Sequence, residues 1–437
     1  MHLPDGRANR PVVHCQPRLV YAMKPRTKVR RPTDGPTSGG PTTLSGEERM
    51  RMPPYETIAL VLQGGGALGA YQAGVYEGLH EADISLDWIA GISIGALNAA
   101  VIAGNAPEVR VERLRQFWNA ICAPAITPTL PRAFEHALFN GSEVTRTALS
   151  FFQAASAAMQ GQFGFFHPRF PIPVPWLAGA SGAKSWYDMS PLKATLERFC
   201  DFDRINAGET RVSVGAVNVA TGNFSYFDTN RTTLRAEHFM ASGALPPAFA
   251  PVEIDGEFFW DGGIVSNTPL QEVLRASPRR DTLAFQIDLW SAHGPMPDNL
   301  ANVAQRTKDI QYSSRTRFVT DALQGEQRYR NVLRRVLERV PEAMRKDDPL
   351  FSLADELSCG KRYNVQHLIY QQQTFEQDYK DYQFGSSTMN SHWAAGLNDI
   401  RRTLANGSWL ELPDNDAGFV THDVHRVKPK AKLDSST

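Results

Sequence analysis

The stretch Thr57-Ile58-Ala59-Leu60-Val61-Leu62-Gln63-Gly64-Gly65-Gly66-Ala67-Leu68-Gly69, with the run from 70 to 82 that follows it, decides the fold. Its first six residues are β-branched and aliphatic with little alternation, the pattern of a strand buried on both faces of a parallel sheet. The glycines end that strand, and the proline-free, Ala- and Leu-containing run after them suits a helix. A second strand over 86–90 runs into Gly91-Ile92-Ser93-Ile94-Gly95 and a small-residue helix that stops near Gly104-Asn105. Strand, helix, strand and helix within about 50 residues predict a right-handed crossover, hence a three-layer α/β fold with helices on both faces of one sheet. Further strands are expected at 211–219, 225–228, 252–254, 257–260 and 282–289, with Asp255-Gly256 as a hairpin turn.

Composition narrows the function. The chain has 437 residues, 46 Lys+Arg, 46 Asp+Glu and 42% hydrophobic content, enough for one large core or two domains. A net charge of zero gives no global basic field, so nucleic acid is not an expected partner. Four cysteines, Cys15, Cys122, Cys200 and Cys359, stand far apart, which argues against a zinc ribbon or a disulfide scaffold. The most apolar stretch, 89–103, is interrupted by Ser93 and Asn98 and falls short of the roughly 20 residues that cross a bilayer. Together with the lack of a secretory signal, this predicts a cytoplasmic protein.

Residues 1–54 carry ten Lys/Arg and four Asp/Glu among repeated Pro and Gly, and read as a disordered basic tail. Residues 124–187 mix Pro, Phe, Trp and Gly with poor periodicity and read as a lid or insertion. Exposed there, Phe163, Phe165, Phe166 and Trp176 would enter a lipid surface; packed, they would cover the sheet. Residues 290–415 are expected to form a mainly helical C-terminal domain. Its apolar stripes are Tyr329, Val332, Leu333, Val336, Leu337 and Val340, and Met389, Trp393, Leu397, Ile400 and Leu404. Arg328, Arg330, Arg334, Arg335 and Arg339 flank the first stripe; packing into the core is the expectation for it, with an anionic membrane as the alternative partner. The tail 416–437 loses the pattern and is expected to be disordered.

Gly91-x-Ser93-x-Gly95 between a strand and a helix is the context of a nucleophile elbow, in which small neighbours let strand and helix meet above the sheet. The alternative is a glycine-rich turn with Ser93 as an N-cap. The loop Gly64-Gly65-Gly66-Ala67-Leu68-Gly69 admits two mechanisms. As an oxyanion loop, its N–H groups face the carbonyl oxygen that Ser93 attacks. As a dinucleotide fingerprint, it needs an acidic residue at the end of the next strand, where Gly91-Ile92-Ser93 stands instead. For the base, Ser93, Asp261 and His293 follow the order of a hydrolase triad, while Asp261-Gly262-Gly263 after the apolar strand Glu257-Phe258-Phe259-Trp260 offers a desolvated carboxylate that takes the proton directly.

These motifs in this order, with Ala241-Ser242-Gly243-Ala244-Leu245-Pro246-Pro247 and Asn267-Thr268-Pro269 between and after them, resemble the patatin-like phospholipase family over roughly residues 56–275. The resemblance implies a Ser/Asp-dyad acyl hydrolase of lipid esters, with no cofactor and no metal. On it, Ser93 matches the nucleophile, Asp261 the base, Gly64, Gly65 and Gly66 the oxyanion loop, and Gly69, Gly91, Gly95, Gly262 and Gly263 the motif glycines. The partner it implies is a lipid or fatty-acyl ester, with peripheral membrane contact. The C-terminal part, about 290–415, is similar to a domain of unknown function found on bacterial patatin-like proteins, and the 124–187 insertion is not shared closely with the family. A dinucleotide-dependent enzyme and a non-catalytic lipid-binding protein are the competing classes.

Overall fold

The first strand, β1 (Thr57–Leu62), is buried along its whole length. In the computed structural model, which describes residues 53–123, 132–170, 184–373, 376 and 379–423, its odd and even positions face different cores. Ile58, Leu60 and Leu62 join the larger cluster, and Ala59 and Val61 join a smaller one on the opposite side of the sheet. The strand is therefore central, with a helical layer on each face, as the unbroken apolar run predicts.

A short 3₁₀ turn leads to α1 (Gly69–Glu81), then β2 (Trp88–Ile92) and α2 (Ile94–Ala103). Every residue of α2 is buried, which fits a helix apolar on all sides. β2 begins two residues later than the composition suggests because Asp87 is used at its foot: its carboxylate accepts the Ile58 N–H at 2.9 Å and its own N–H donates to the Ile58 carbonyl. α3 (Arg110–Ile121) follows, then the insertion, which holds α4 (Arg132–Phe139), α5 (Glu143–Gln160) and a ribbon of β3 (His167–Pro168) and β4 (Tyr187–Asp188). α5 starts where the Ser142 hydroxyl accepts the Thr145 N–H. Phe165 and Phe166 are buried and Phe163 is exposed, so the aromatics divide between the two expectations; Trp176 and the proline-rich run around it lie outside the described residues.

The chain continues through α6 (Ser190–Phe199), α7 (Phe202–Ala207), β5 (Arg211–Asn218), β6 (Phe224–Asp228), α8 (Ala236–Gly243), β7 (Val252–Ile254), β8 (Glu257–Asp261), α9 (Leu270–Leu274) and β9 (Thr282–Asp288). The C-terminal region contains α10 (Leu300–Leu337), α11 (Glu342–Arg345), α12 (Pro349–Leu357), β10 (Tyr363–Ile369), α13 (Ser386–Ala405) and β11 (Phe419–His422). Expected to be mainly helical, this region also extends the sheet: β10 pairs in parallel with β9, and β11 with β10. The main sheet runs β11-β10-β9-β1-β2-β5-β8-β7, with β6 antiparallel to β5. The expected disordered tail from 416 thus holds an ordered edge strand, anchored by buried Phe419.

α13 lies against α1 with almost no gap. A Cβ on Gly74 would come within 2.0 Å of the Trp393 carbonyl oxygen, and one on Gly396 within 2.0 Å of that of Tyr71. Met389, Trp393 and Ile400 bury as their spacing predicts. The stripe on α10 behaves otherwise: Leu337 is buried, but Tyr329, Val332 and Val336 are exposed. In this half α10 instead turns Leu323, Gln327 and Asn331 inward, and Gln327 Nε2 donates to the Lys361 carbonyl at 2.6 Å. Hydrogen-bonding needs at the foot of β10 override the apolar period. Among the described residues no helix is long and apolar enough to cross a membrane, and no cluster of His, Cys, Asp or Glu could hold a metal.

Candidate active site

β2 ends at Ile92 and α2 begins at Ile94, so Ser93 alone turns the chain. It does so with φ 56° and ψ −126°, a conformation that costs on the order of 1–3 kcal/mol for a residue bearing a Cβ. Hydrogen bonds hold it there. The Ser93 N–H donates to Ser242 Oγ at 2.9 Å, Ser242 Oγ donates to the Gly215 carbonyl at 2.7 Å, and the Ser93 carbonyl accepts from Ala96 and Leu97 in the first turn of α2. Side chains at the flanking glycines would end this geometry: a Cβ on Gly91 would lie 2.4 Å from the Gly95 carbonyl oxygen, and one on Gly95 2.4 Å from that of Leu62.

Register brings Asp261 to the same point. β5 has two edges and three partners. β6 pairs from Ser213 to Val217 and so overlaps both others, which leaves β2 and β8 to share the opposite edge. β2 uses it up to Gly215, the partner of Ile92, and β8 takes over at Ala216, the partner of Asp261. Asp261 therefore sits just past the end of β2, where Ser93 stands. The Ser93 hydroxyl and the Asp261 carboxylate line the same cleft, close enough for the hydroxyl to act on the carboxylate's proton affinity, and Asp261 Oδ1 accepts the Gly263 N–H at 2.7 Å. Burial is the dominant influence and pushes the carboxyl from 3.8 up to about 7, while the Gly263 N–H and the Ser93 hydroxyl act in the lowering direction. A carboxylate that titrates near neutrality is suited to accept a proton.

The glycine loop follows β1, the neighbour of β2, and lies over the same cleft. Its three glycines are not equivalent. The Gly64 N–H donates to the Asn267 carbonyl at 3.3 Å, and the Gly64 carbonyl accepts from Asn267 Nδ2 at 3.0 Å and Trp290 Nε1 at 2.8 Å. Among the described residues, the N–H groups of Gly65 and Gly66 meet no acceptor. Gly64 thus fastens the loop, while the N–H groups of Gly65 and Gly66 are left uncommitted. Gly66 also has φ 56° and no room for a Cβ, which would meet the Asp381 carbonyl oxygen at 2.3 Å. Of the remaining motif glycines, Gly69 packs against Ile94 and Trp118, Gly262 against the Gly215 carbonyl, and Gly263 between Asp261 and Asn267.

His293, the base of the triad reading, is exposed on the loop after β9. It does not line the cleft, and no other histidine does among the described residues. Sequence reasoning assigned no role to Ser242, Asn267 or Trp290, which fix the elbow and the loop. Asn267 could have been found from its place in Asn267-Thr268-Pro269, close behind Asp261-Gly262-Gly263. Nor did it find the cleft walls Tyr312, Asp381, Tyr382 and Phe384.

Comparison with known proteins bears on these residues directly. A patatin-like phospholipase profile matches residues 60–274, from β1 through the Asp-Gly-Gly motif, and a second patatin phospholipase profile matches 310–416. The chain belongs to the patatin-like phospholipase family. Patatin-like phospholipase domain-containing protein 6 of Homo sapiens is 34% identical over 98 residues, 22% of this patatin-like chain and 7% of that protein. Lysophospholipase nte1 of Aspergillus terreus is 35% identical over 95 residues, 19% of this chain and 6% of that protein. The match thus spans only a small part of these curated relatives. Among solved structures, VipD from Legionella pneumophila aligns over 80% of this chain and 67% of its own at 14% identity, with a TM-score of 0.32. In this patatin-like chain, Ser93, Asp261 and the glycine loop come from the first matched segment, and Tyr312, Asp381, Tyr382 and Phe384 come from the second.

Proposed function

We propose that the chain hydrolyses lipid acyl esters, with Ser93 as nucleophile and Asp261 as the base. The observation that carries this reading is the strained Ser93 hydroxyl beside a buried carboxylate and two uncommitted N–H groups. In the first step the Ser93 oxygen bonds to the ester carbonyl carbon and its proton passes to Asp261, while Gly65 and Gly66 stabilise the oxyanion. Collapse breaks the bond to the leaving oxygen, which takes the proton back. Water then gives a proton to Asp261 and attacks the acyl-enzyme, releasing the fatty acid and restoring Ser93.

Two measurements test the dyad together. A fluorophosphonate should label Ser93 and no other serine. Because only the ionised carboxylate accepts a proton, kcat/KM should rise with pH through an apparent value of about 7, where burial holds Asp261. Labelling elsewhere, or a rising limb centred near the ordinary carboxylate range, overturns the assignment.

Contact with a lipid surface fits the same reading. The insertion that turns Phe165 and Phe166 inward turns Phe151, Met159, Phe163 and Phe170 outward, each at least 62% exposed. The protein should co-sediment with phosphatidylcholine–phosphatidylglycerol vesicles, and a Phe163→Ser/Phe170→Ser double variant should do so at least about tenfold less. Equal sedimentation of the two removes the insertion from the membrane contact.

A further inference from the structure

The second matched segment supplies part of the cleft wall, and the way it does so bears on which acyl groups fit. Four phenylalanines from three parts of the chain line the cleft: Phe165 and Phe166 from the insertion, Phe249 from the loop before β7, and Phe384 from the turn before α13. Their rings interlock. Phe384 lies 5.7 Å from Phe165 and 6.4 Å from Phe166 between centroids, both close to edge-on. Phe249 lies 5.9 Å and 5.5 Å from the same two rings. At such separations aromatic rings are in contact. All four are under 9% exposed and line the same cleft, so together they form a buried aromatic part of its wall. Leu97, one helical turn beyond Ser93, lines the approach to them.

The wall is also stiff where the C-terminal region forms it. Phe384 follows a turn tied down by two ion pairs to α10, Lys380 to Asp309 at 2.6 Å and Lys308 to Asp381 at 2.5 Å. On its other side it leads straight into α13, which is clamped on α1. At Gly385 the turn packs against α5, where a Cβ would meet the side-chain amide of Gln153 at 2.1 Å. The main chain that carries Phe384 is thus held by α10 on one side and packs against α5 and α13 on the other.

We propose that Phe384 closes the acyl end of the cleft and sets an upper limit on acyl length, so that the C-terminal region selects esters of short and medium-length acyl groups. The inference rests on Ser93 hydrolysing an acyl ester, and the test separates the two. Wild type, Phe384→Leu and Phe384→Ala would be compared on p-nitrophenyl esters from acetate to palmitate, with the rate of Ser93 labelling by a small fluorophosphonate measured alongside. Wild-type kcat/KM should peak at intermediate length and fall steeply beyond it. Phe384→Leu should still be labelled at Ser93 and should raise the palmitate-to-acetate ratio of kcat/KM by about tenfold, and Phe384→Ala should raise it further. The Leu variant guards against a fold weakened by the larger truncation. Superimposable length profiles in variants that label normally overturn the role of Phe384 and leave the nucleophile assignment standing. Absence of Ser93 labelling in the wild type overturns both.

Discussion

Ser93→Ala should lower ester hydrolysis by on the order of 10⁴-fold or more while the protein keeps its fold. The oxygen that is removed is the atom that would bond to the acyl carbon, and among the described residues no other hydroxyl that lines the cleft stands at a strand-to-helix turn beside a carboxylate. The elbow itself should survive. Its strained backbone is held through the Ser93 N–H to Ser242 and through the Ser93 carbonyl to α2, and neither contact uses Oγ. Initial rates on a soluble ester, a thermal unfolding curve and mass spectrometry after fluorophosphonate treatment check the three parts of this expectation. An alanine variant that turns over within tenfold of wild type would show that the chemistry lies elsewhere.

Asp261→Asn should separate activity from stability in opposite directions. The amide cannot accept the serine proton, so kcat should fall by about 10³- to 10⁴-fold, and the rising pH limb near 7 should disappear with it. Stability moves the other way because burial raises the carboxyl's affinity for a proton in the folded state. The folded protein then binds more protons than the unfolded chain between about pH 4 and 7, so wild-type stability falls as pH rises through that window. Above about pH 7 the native protein carries a buried, ionised carboxylate, at a cost of up to about 4 kcal/mol for a shift from 3.8 to about 7. Asparagine has the same shape, can still accept the Gly263 N–H and does not ionise. The variant should therefore unfold at higher denaturant than wild type at about pH 8, with the difference closing towards pH 4. Equal stability across that range would mean that Asp261 does not titrate differently in the two states.

Much of this architecture was readable in the sequence, for identifiable reasons. β1 and α2 are apolar on all sides because both are buried on all sides, and composition alone carries that information. Gly91, Ser93 and Gly95 are informative because sterics at a sharp turn leave few residue choices. Asp261 lies far from Ser93 in sequence, and only the order of motifs connected them; the register that makes them neighbours, with β8 taking the edge of β5 that β2 leaves free, has no local signature. The same holds for Ser242, whose single hydrogen bond to a backbone N–H supports the elbow. Reading Tyr329, Val332 and Val336 as core failed because helical spacing reports an apolar face and not which way that face points. The triad alternative with His293 rested on chain order alone, which is the same whether or not the loop reaches the cleft, and that loop leaves His293 exposed outside it.

The pairing of β10 with β9, and the contact of α13 with α1 at Gly74 and Gly396, mean that the two stretches recognised by comparison are not two modules. A gene cut between them would encode a half-finished sheet: the backbone of β9 would present an unsatisfied row of donors and acceptors, and α1 an uncovered notch, both invitations to self-association. The second stretch must travel with the first as a single inheritable piece.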